Sequence, residues 1–175
     1  SALHHHGLTE QAPRTIFVLT TTEASVPGTG TRDSYRIGDT AYQFIQIKPE
    51  RFFGTEKVWV GDTRVTITDL ERTLIDGLTM PQHCGDFAEV LHAFEVSRDR
   101  LNLERITDYA LKMDAATVKR LGWVLESLGL GRDRLELLAQ FPIKGYRRLD
   151  SSGPLKGPYN RYWMIQENLP GKVTT

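Results

Sequence analysis

Three carboxylates within eight residues are the first side chains in this sequence whose types and spacing could support chemistry. Asp69, Glu71 and Asp76 follow a short apolar segment, and carboxylate oxygens are the ligands that Mg²⁺ prefers. A metal-dependent nuclease or phosphotransferase could use such a cluster to hold its ion. However, Asp69 and Glu71 would point in different directions on a helix, and Arg72 is spaced to pair with Asp69 and Asp76. The spacing favours a structural role, with the metal-dependent enzyme as the alternative.

The acids lie where a predicted strand gives way to a predicted helix. Residues 64–68 alternate between apolar and polar side chains, as a half-buried strand does. The helix is indicated by an apolar stripe at helical spacing: Leu70, Leu74, Ile75 and Leu78. Thr68 and Glu71 have the spacing of a capping box, in which each side chain accepts a hydrogen bond from the other residue's backbone N–H. We therefore expect these two residues to hold the corner between strand and helix.

Basic residues are concentrated at the end of a chain whose formal net charge is zero. Residues 1–115 carry 12 basic and 17 acidic side chains, whereas residues 116–175 carry 10 basic and 5 acidic ones. A basic region can approach phosphate groups, although solvated surface charge explains the same excess. The candidate contacts to DNA phosphates are Lys119, Arg120, Arg147, Arg148, Lys156 and Arg161.

Aromatic residues accompany some of these cations. Tyr159, Tyr162 and Trp163 interleave with Arg161, which is typical of a surface that binds nucleic acid. The same aromatic residues could instead form the core and rim of the last strands. Lys119 and Arg120 are expected on a helix whose apolar stripe faces away from them, which would leave both side chains in solvent.

Cysteine and histidine usage indicates neither a metal nor a cofactor. Cys84 is the only cysteine, so an intrachain disulfide is excluded and a reducing compartment such as the cytoplasm is expected. Its neighbour His83 is the one apparent base, which leaves a nucleophilic thiol as an alternative. His4, His5 and His6 could bind a metal, but adjacent side chains on a helix do not converge on one ion. We therefore expect no metal site and no cofactor.

The order of the elements predicts an α+β fold. Hairpins are expected to turn at Gly38-Asp39 and Gly61-Asp62. Three helices are expected to begin after capping residues, which are Asp86, Asn102 and Asp114. The hairpins and a C-terminal strand pair are expected to form a mixed sheet, packed on a small bundle of about four to five helices.

This prediction divides the chain into parts. About 1–78 and about 143–168 are expected to be rich in strands, and about 79–142 to be helical. No apolar run approaches the roughly 18 residues of a membrane span. We therefore expect no interaction with a membrane.

Taken together, several stretches resemble the AbiEi family. The core V-T-I-T-D-L-E-R-T-L-I-D, residues 65–76, is the most specific of them. It is supported, by order along the chain, by the opening S-A-L-H-H-H-G-L-T-E-Q, the helix R-L-G-W-V-L-E and the ending Y-N-R-Y-W-M-I-Q-E-N. AbiEi proteins are antitoxins of type IV toxin–antitoxin, or abortive infection, systems and are described as predicted transcriptional regulators of viral defence. The resemblance extends over nearly the whole chain.

The resemblance also implies partners. Family members have an N-terminal winged helix-turn-helix that binds operator DNA, followed by a C-terminal antitoxin domain, and this chain resembles the second part alone. The implied toxin is a nucleotidyltransferase encoded beside the antitoxin, and its effect is countered without a required stable complex. The resemblance thus implies a non-catalytic antitoxin that assists regulation of its own operon, with operator DNA bound mainly through the part not present here. A homodimer is a further possibility.

Overall fold

The computed structural model describes residues 1–22 and 34–170. The chain divides into two compact units, residues 1–69 and residues 70–175. The boundary falls inside the stretch of residues 65–76, directly before the helix that carries its second part. We refer to these parts as the N-terminal unit and the C-terminal unit.

The N-terminal unit contains one short helix and two small sheets. Its elements are α1 (Ala2–His5), β1 (Thr15–Thr20), β2 (Ser34–Ile37), β3 (Thr40–Gln46), β4 (Thr55–Val60) and β5 (Thr63–Thr68). The first sheet has the order β1-β3-β2, with β1 parallel to β3 and β2 antiparallel to it. The second sheet is the antiparallel pair β4-β5. Both predicted hairpins are confirmed, because Gly38 and Gly61 adopt the positive φ of 59° that their two-residue turns require.

The C-terminal unit is a helical bundle with a small sheet. Its elements are α2 (Leu70–Thr79), α3 (Phe87–Ser97), α4 (Leu103–Leu111), α5 (Ala115–Ser127), α6 (Glu136–Gln140), β6 (Arg147–Arg148), β7 (Tyr159–Asn160) and β8 (Ile165–Gln166). The sheet has the order β6-β8-β7, with β6 parallel and β7 antiparallel to β8. The longest of these helices, α5, has 13 residues. In the described ranges no helix combines the length and hydropathy needed to cross a bilayer.

The three predicted capping residues begin their helices as expected. The carboxylate of Asp86 accepts from Glu89 N at 2.9 Å, and that of Asp114 accepts from Thr117 N at 2.9 Å. Asn102 does the same for α4, since its amide oxygen accepts from the N–H three residues later. Each cap satisfies a donor that the first turn of a helix leaves without a partner.

The α+β class and the mixed sheets are confirmed, but the arrangement of strands differs from the prediction. The strands form three sheets rather than one. The last strands have two residues each and belong to the same compact unit as the helices, not to that of the hairpins. The expected single sheet of N-terminal and C-terminal strands was therefore wrong, because the described tail strands pair only with one another.

Helix α5 forms the centre of the C-terminal unit. Residues 117–125 are buried without interruption, so every face of this helix is covered. Trp163, which follows β7, is fully buried and packs on the α5 backbone at Gly122. A β-carbon at Gly122 would lie 2.0 Å from the Trp163 ring. Only a glycine permits that approach.

Candidate functional site

The carboxylate of Glu71 binds a neighbouring helix. The side chain is buried, and its two oxygens accept from Asn102 N at 2.9 Å and from Arg105 Nη1 at 3.4 Å. The expected capping box of Thr68 and Glu71 is therefore wrong. Helix α2 begins at Leu70, one residue later than a cap at Thr68 requires. The negative charge of Glu71 instead stabilises the positive N-terminal end of α4.

Asp76 and Arg72 form the ion pair that the sequence predicts. Arg72 Nε donates to Asp76 Oδ1 at 2.9 Å, and the arginine is 1% exposed. Each of the two α2 carboxylates is thus bound to its own cation. In the described residues, Asp69, Glu71 and Asp76 do not form a group of three converging metal ligands. This geometry gives no support to a metal-dependent reaction at these acids.

Lys119 is not available for phosphate. The residue is 2% exposed, and its ammonium group donates to Leu138 O at 3.1 Å and to Ala139 O at 2.6 Å. These carbonyls belong to the last turn of α6, where a cation compensates unpaired backbone oxygens. Burial lowers the pKa of the Lys119 ammonium. The predicted DNA contact is therefore corrected to a structural one.

Arg120 is likewise buried and bound within the protein. It is 8% exposed, its Nη1 donates to Leu78 O at 3.1 Å, and its Nε donates to Arg148 O at 3.0 Å. Burial lowers the pKa of its guanidinium, while the carboxylates of Asp114 and Asp150 oppose that shift. Arg120 joins the C-terminal end of α2 to β6 and cannot contact DNA in this conformation.

The run L-G-W-V-L directly after Arg120 is a sequence signal that this helix, with Lys119 and Arg120, is buried in the core. Five consecutive residues that are apolar or glycine cover all faces of a helix, so the single stripe assumed from the sequence could not be right.

The other four candidate cations lie in or beside the C-terminal sheet. Arg147 is exposed, with Nη1 donating to its neighbours' carbonyls at Lys144 and Tyr146. Arg148 is half-buried, and its Nη1 donates to Gly153 O at 2.8 Å. Consecutive residues of a strand point to opposite faces of a sheet, and of this pair only Arg147 is exposed.

Lys156 and Arg161 are exposed side chains. Within residues 1–22 and 34–170 neither has a hydrogen-bond or ion-pair partner. The loop that carries Lys156 is held by buried Asn168, whose Nδ2 donates to Asp150 O and Pro154 O at 2.8 Å each. A fixed loop presents its cation with little further loss of conformational entropy.

The aromatic residues divide between core and surface. Trp163 is buried, whereas Tyr159 is 60% and Tyr162 38% exposed. Tyr159 contacts Tyr146 with ring centroids 4.7 Å apart. The guanidinium of Arg132 lies 3.8 Å from the Tyr162 ring centroid. Tyr159 and Tyr162 flank Arg161 along the chain, and exposed aromatic rings and cations are groups that nucleic acids bind by stacking and charge.

Two tryptophan–glutamate hydrogen bonds join α5 to the tail. Trp163 Nε1 donates to Glu126 Oε2 at 2.6 Å, and Trp123 Nε1 donates to Glu167 Oε1 at 2.6 Å. Each bond has its indole on one segment and its carboxylate on the other. The helix motif R-L-G-W-V-L-E and the ending Y-N-R-Y-W-M-I-Q-E-N are therefore two halves of one packed structure.

The carboxylate of Glu126 accepts hydrogen bonds from both Trp163 and Arg132. Burial alone would raise the pKa of its carboxyl, but the hydrogen bonds from Arg132 and Trp163 and the charge of Arg132 lower the pKa overall. The carboxylate is thus held ionised while it accepts from both residues.

Cys84 is a poor nucleophile in this environment. Desolvation, with an added contribution from the negative charge of Asp76, raises the pKa of the thiol to about 12. Since the thiolate is the reactive form, the thiol is unreactive near neutral pH.

Comparisons with other proteins show a similar fold and do not identify a family or an activity. No protein-family model matches the sequence, and no curated protein matches it. Among solved structures, the chain is similar to the Rv2827c protein of Mycobacterium tuberculosis, with a TM-score of 0.65 and 13% sequence identity. The alignment covers 94% of this chain and 59% of that one, so this chain spans little more than half of that protein's length. A likeness at this identity concerns the fold alone.

Proposed function

We propose that this chain is the C-terminal part of a type IV antitoxin, which counters a nucleotidyltransferase toxin in the cytoplasm and performs no catalysis itself. The observation that carries this proposal is the interlocking of the stretches on which the AbiEi resemblance rests. The motif on α5 and the motif at the end of the chain meet at Trp123, Glu126, Trp163 and Glu167. Motifs that depend on one another physically support a resemblance more strongly than separate ones do.

The second part of the most specific stretch, residues 70–76, lies in the same C-terminal unit. Helix α2 carries L-E-R-T-L-I-D, and seven of its ten residues are buried. Its charged residues are bound within the unit, Glu71 at α4 and Arg72 at Asp76. Such a motif specifies a folded module, which suits an antitoxin that acts by binding or regulation.

A growth-rescue experiment tests the antitoxin role. The toxin encoded beside this gene would be expressed alone, with this chain, or with the full-length antitoxin. The expected result is that this chain restores growth at least in part. A matched control is the same chain carrying Gly122→Trp, which cannot fold around Trp163 because the close approach leaves no space. Rescue by the control, or no rescue by a folded chain, would reject the proposal.

We further propose an accessory contact with operator DNA through Arg147, Lys156 and Arg161. Of these three exposed cations, Arg147 lies in β6, Lys156 in the loop between β6 and β7, and Arg161 directly after β7, two residues from exposed Tyr159 in the chain. Because phosphate contacts release counterions, each one adds to the salt dependence of binding.

The DNA contact is testable in the full-length protein. Replacing the three cations by glutamine should weaken operator binding, and the slope of log K against log salt should fall by about one for each cation that no longer meets a phosphate. The control is Arg64→Gln, which removes one exposed charge from β5. Unchanged affinity and slope in the triple variant would remove the accessory contact without affecting the antitoxin proposal.

A further inference from the structure

A cavity of about 500 Å³ lies between α4 and α6, and both helices belong to the C-terminal unit. Leu135 and Leu138 form part of its lining and are 1% and 0% exposed, so its floor is apolar. Leu103 and Thr107, one turn apart on α4, also line it. Other residues of its lining are exposed, so the cavity opens to solvent and could receive an aliphatic side chain from another molecule.

An exposed leucine lies at the edge of the same cavity. Leu137 on α6 lines the cavity and is 64% exposed, whereas its neighbour Leu138 is fully buried. Helix α6 therefore packs on the unit through one leucine and presents the next one to solvent. A protruding side chain beside a cavity is a self-complementary shape, because a two-fold rotation carries the side chain of each copy to the cavity of the other.

The rim of the cavity carries charges of both signs. Arg134 lines the same cavity as Glu104 and Asp108, which are one turn apart on α4. All three are exposed, and within the described ranges none of their side chains has a hydrogen-bond or ion-pair partner. We call the cavity and its rim the α4–α6 groove, and its main residues are Leu103, Glu104, Asp108, Arg134, Leu137 and Leu138.

We infer that the α4–α6 groove is the interface of a two-fold symmetric dimer of this chain. A two-fold interface uses the same surface on both copies, so that surface must be complementary to itself in shape and in charge. Leu137 of each copy enters the cavity of the other, and Arg134 of each copy pairs with Asp108 and Glu104 of the other. A nucleic acid fits this surface poorly, because the two carboxylates repel phosphate.

The apolar contact is tested by sedimentation velocity of the whole chain at about 1 to 100 μM. The expected result is a monomer–dimer equilibrium. Leu137→Asp should raise its dissociation constant at least about tenfold, because a charge replaces the central apolar side chain. The matched control is Leu155→Asp, since this leucine is 78% exposed but lies in the loop between β6 and β7, outside the groove. The control should change the constant by less than about twofold.

The charge pairing is tested by exchanging the two signs between copies. Arg134→Glu and Asp108→Arg should each weaken the dimer at least about fivefold, because each places like charges across the two-fold axis. A mixture of the two variants, one of them carrying a fluorescent label, should form a mixed dimer with about the wild-type affinity. In that dimer both symmetry-related contacts again join a cation to an acid. Glu104 is left in place, because an acid in the first turn of α4 stabilises that helix.

Three outcomes would overturn the inference. The first is a monomer at every concentration, including the case in which the groove receives the toxin instead of a second copy. The others are equal effects of Leu137→Asp and Leu155→Asp, and a mixture of charge variants that associates no better than either variant alone. Circular dichroism of each variant verifies that a loss of association does not arise from unfolding. The antitoxin proposal is tested by growth and not by association, so the two can fail separately.

Discussion

Two pairs of consecutive basic residues in the C-terminal unit have opposite surroundings. Lys119 and Arg120 on α5 are buried and donate to carbonyl oxygens at the ends of α6 and α2 and on β6. Arg147 and Arg148 on β6 are exposed or half-buried, with part of their donor capacity facing solvent. The residue types and the spacing are alike, so neither decides which pair can meet a phosphate.

The difference comes from the elements that carry them. Helix α5 is enclosed on every face, and its cations replace water at the carbonyl ends of neighbouring helices. Strand β6 is a two-residue edge strand of a small sheet and pairs with another strand on one side only. A cation that directly adjoins an uninterrupted apolar run should therefore not be counted as part of a phosphate-binding surface predicted from sequence.

The largest expected effect tests whether α5 is enclosed as described. Gly122→Ala places a β-carbon 2.0 Å from Cζ3 of buried Trp163. The ring cannot move without losing its bond to Glu126, so we expect a loss of more than about 3 kcal/mol in the free energy of unfolding. Chemical denaturation measures it. The penalty should shrink in a Trp163→Leu background, where the clashing ring is gone, and an equal penalty there would contradict the packing account.

The next effect separates the two basic pairs directly. Arg120→Met keeps most of the side-chain volume but leaves the carbonyls of Leu78 and Arg148 without their donor. We expect a loss of about 2 kcal/mol, because buried acceptors without partners are costly. Arg147→Met should change stability by less than about 0.5 kcal/mol. If the two variants unfold at the same denaturant concentration, the contrast between the pairs is wrong.

Burial should also be visible in how stability depends on pH. The pKa of Cys84 is about 12 in the folded chain against 9.0 for the free group. Between these values the unfolded thiol ionises first, so the unfolded state binds fewer protons and stability falls as pH rises. From pH 8 to pH 10, the wild type should lose about 1 kcal/mol more than Cys84→Ala. Equal losses in the two proteins would show that the thiol is not desolvated.

Local signals in the sequence were enough to predict most of the helices and hairpins. The caps at Asp86, Asn102 and Asp114 and the glycine turns depend on residues within a few positions, so their prediction was confirmed. The pair of Arg72 and Asp76 is also local, four residues apart on one helix. Glu71 was misassigned because a local partner, Thr68, had the right spacing while the actual partners lie 31 and 34 residues away.

The candidate sites required information that spacing does not contain. Lys119 reaches carbonyls 19 and 20 residues away, and Trp163 reaches a carboxylate 37 residues away. Only the fold brings such partners together.

The smallest effect on stability should come from one of the exposed cations proposed to contact DNA. Arg161→Gln removes an exposed cation with no partner in the described ranges, so the free energy of unfolding should change by less than about 0.5 kcal/mol. The same change should reduce the salt slope of operator binding by the full-length protein by about one. Arg120→Met should show the reverse, a stability loss with an unchanged slope below its unfolding transition. If Arg161→Gln destabilises the protein as much as Arg120→Met and leaves the slope unchanged, then Arg161 is a structural cation as well, and the exposed half of the comparison no longer holds.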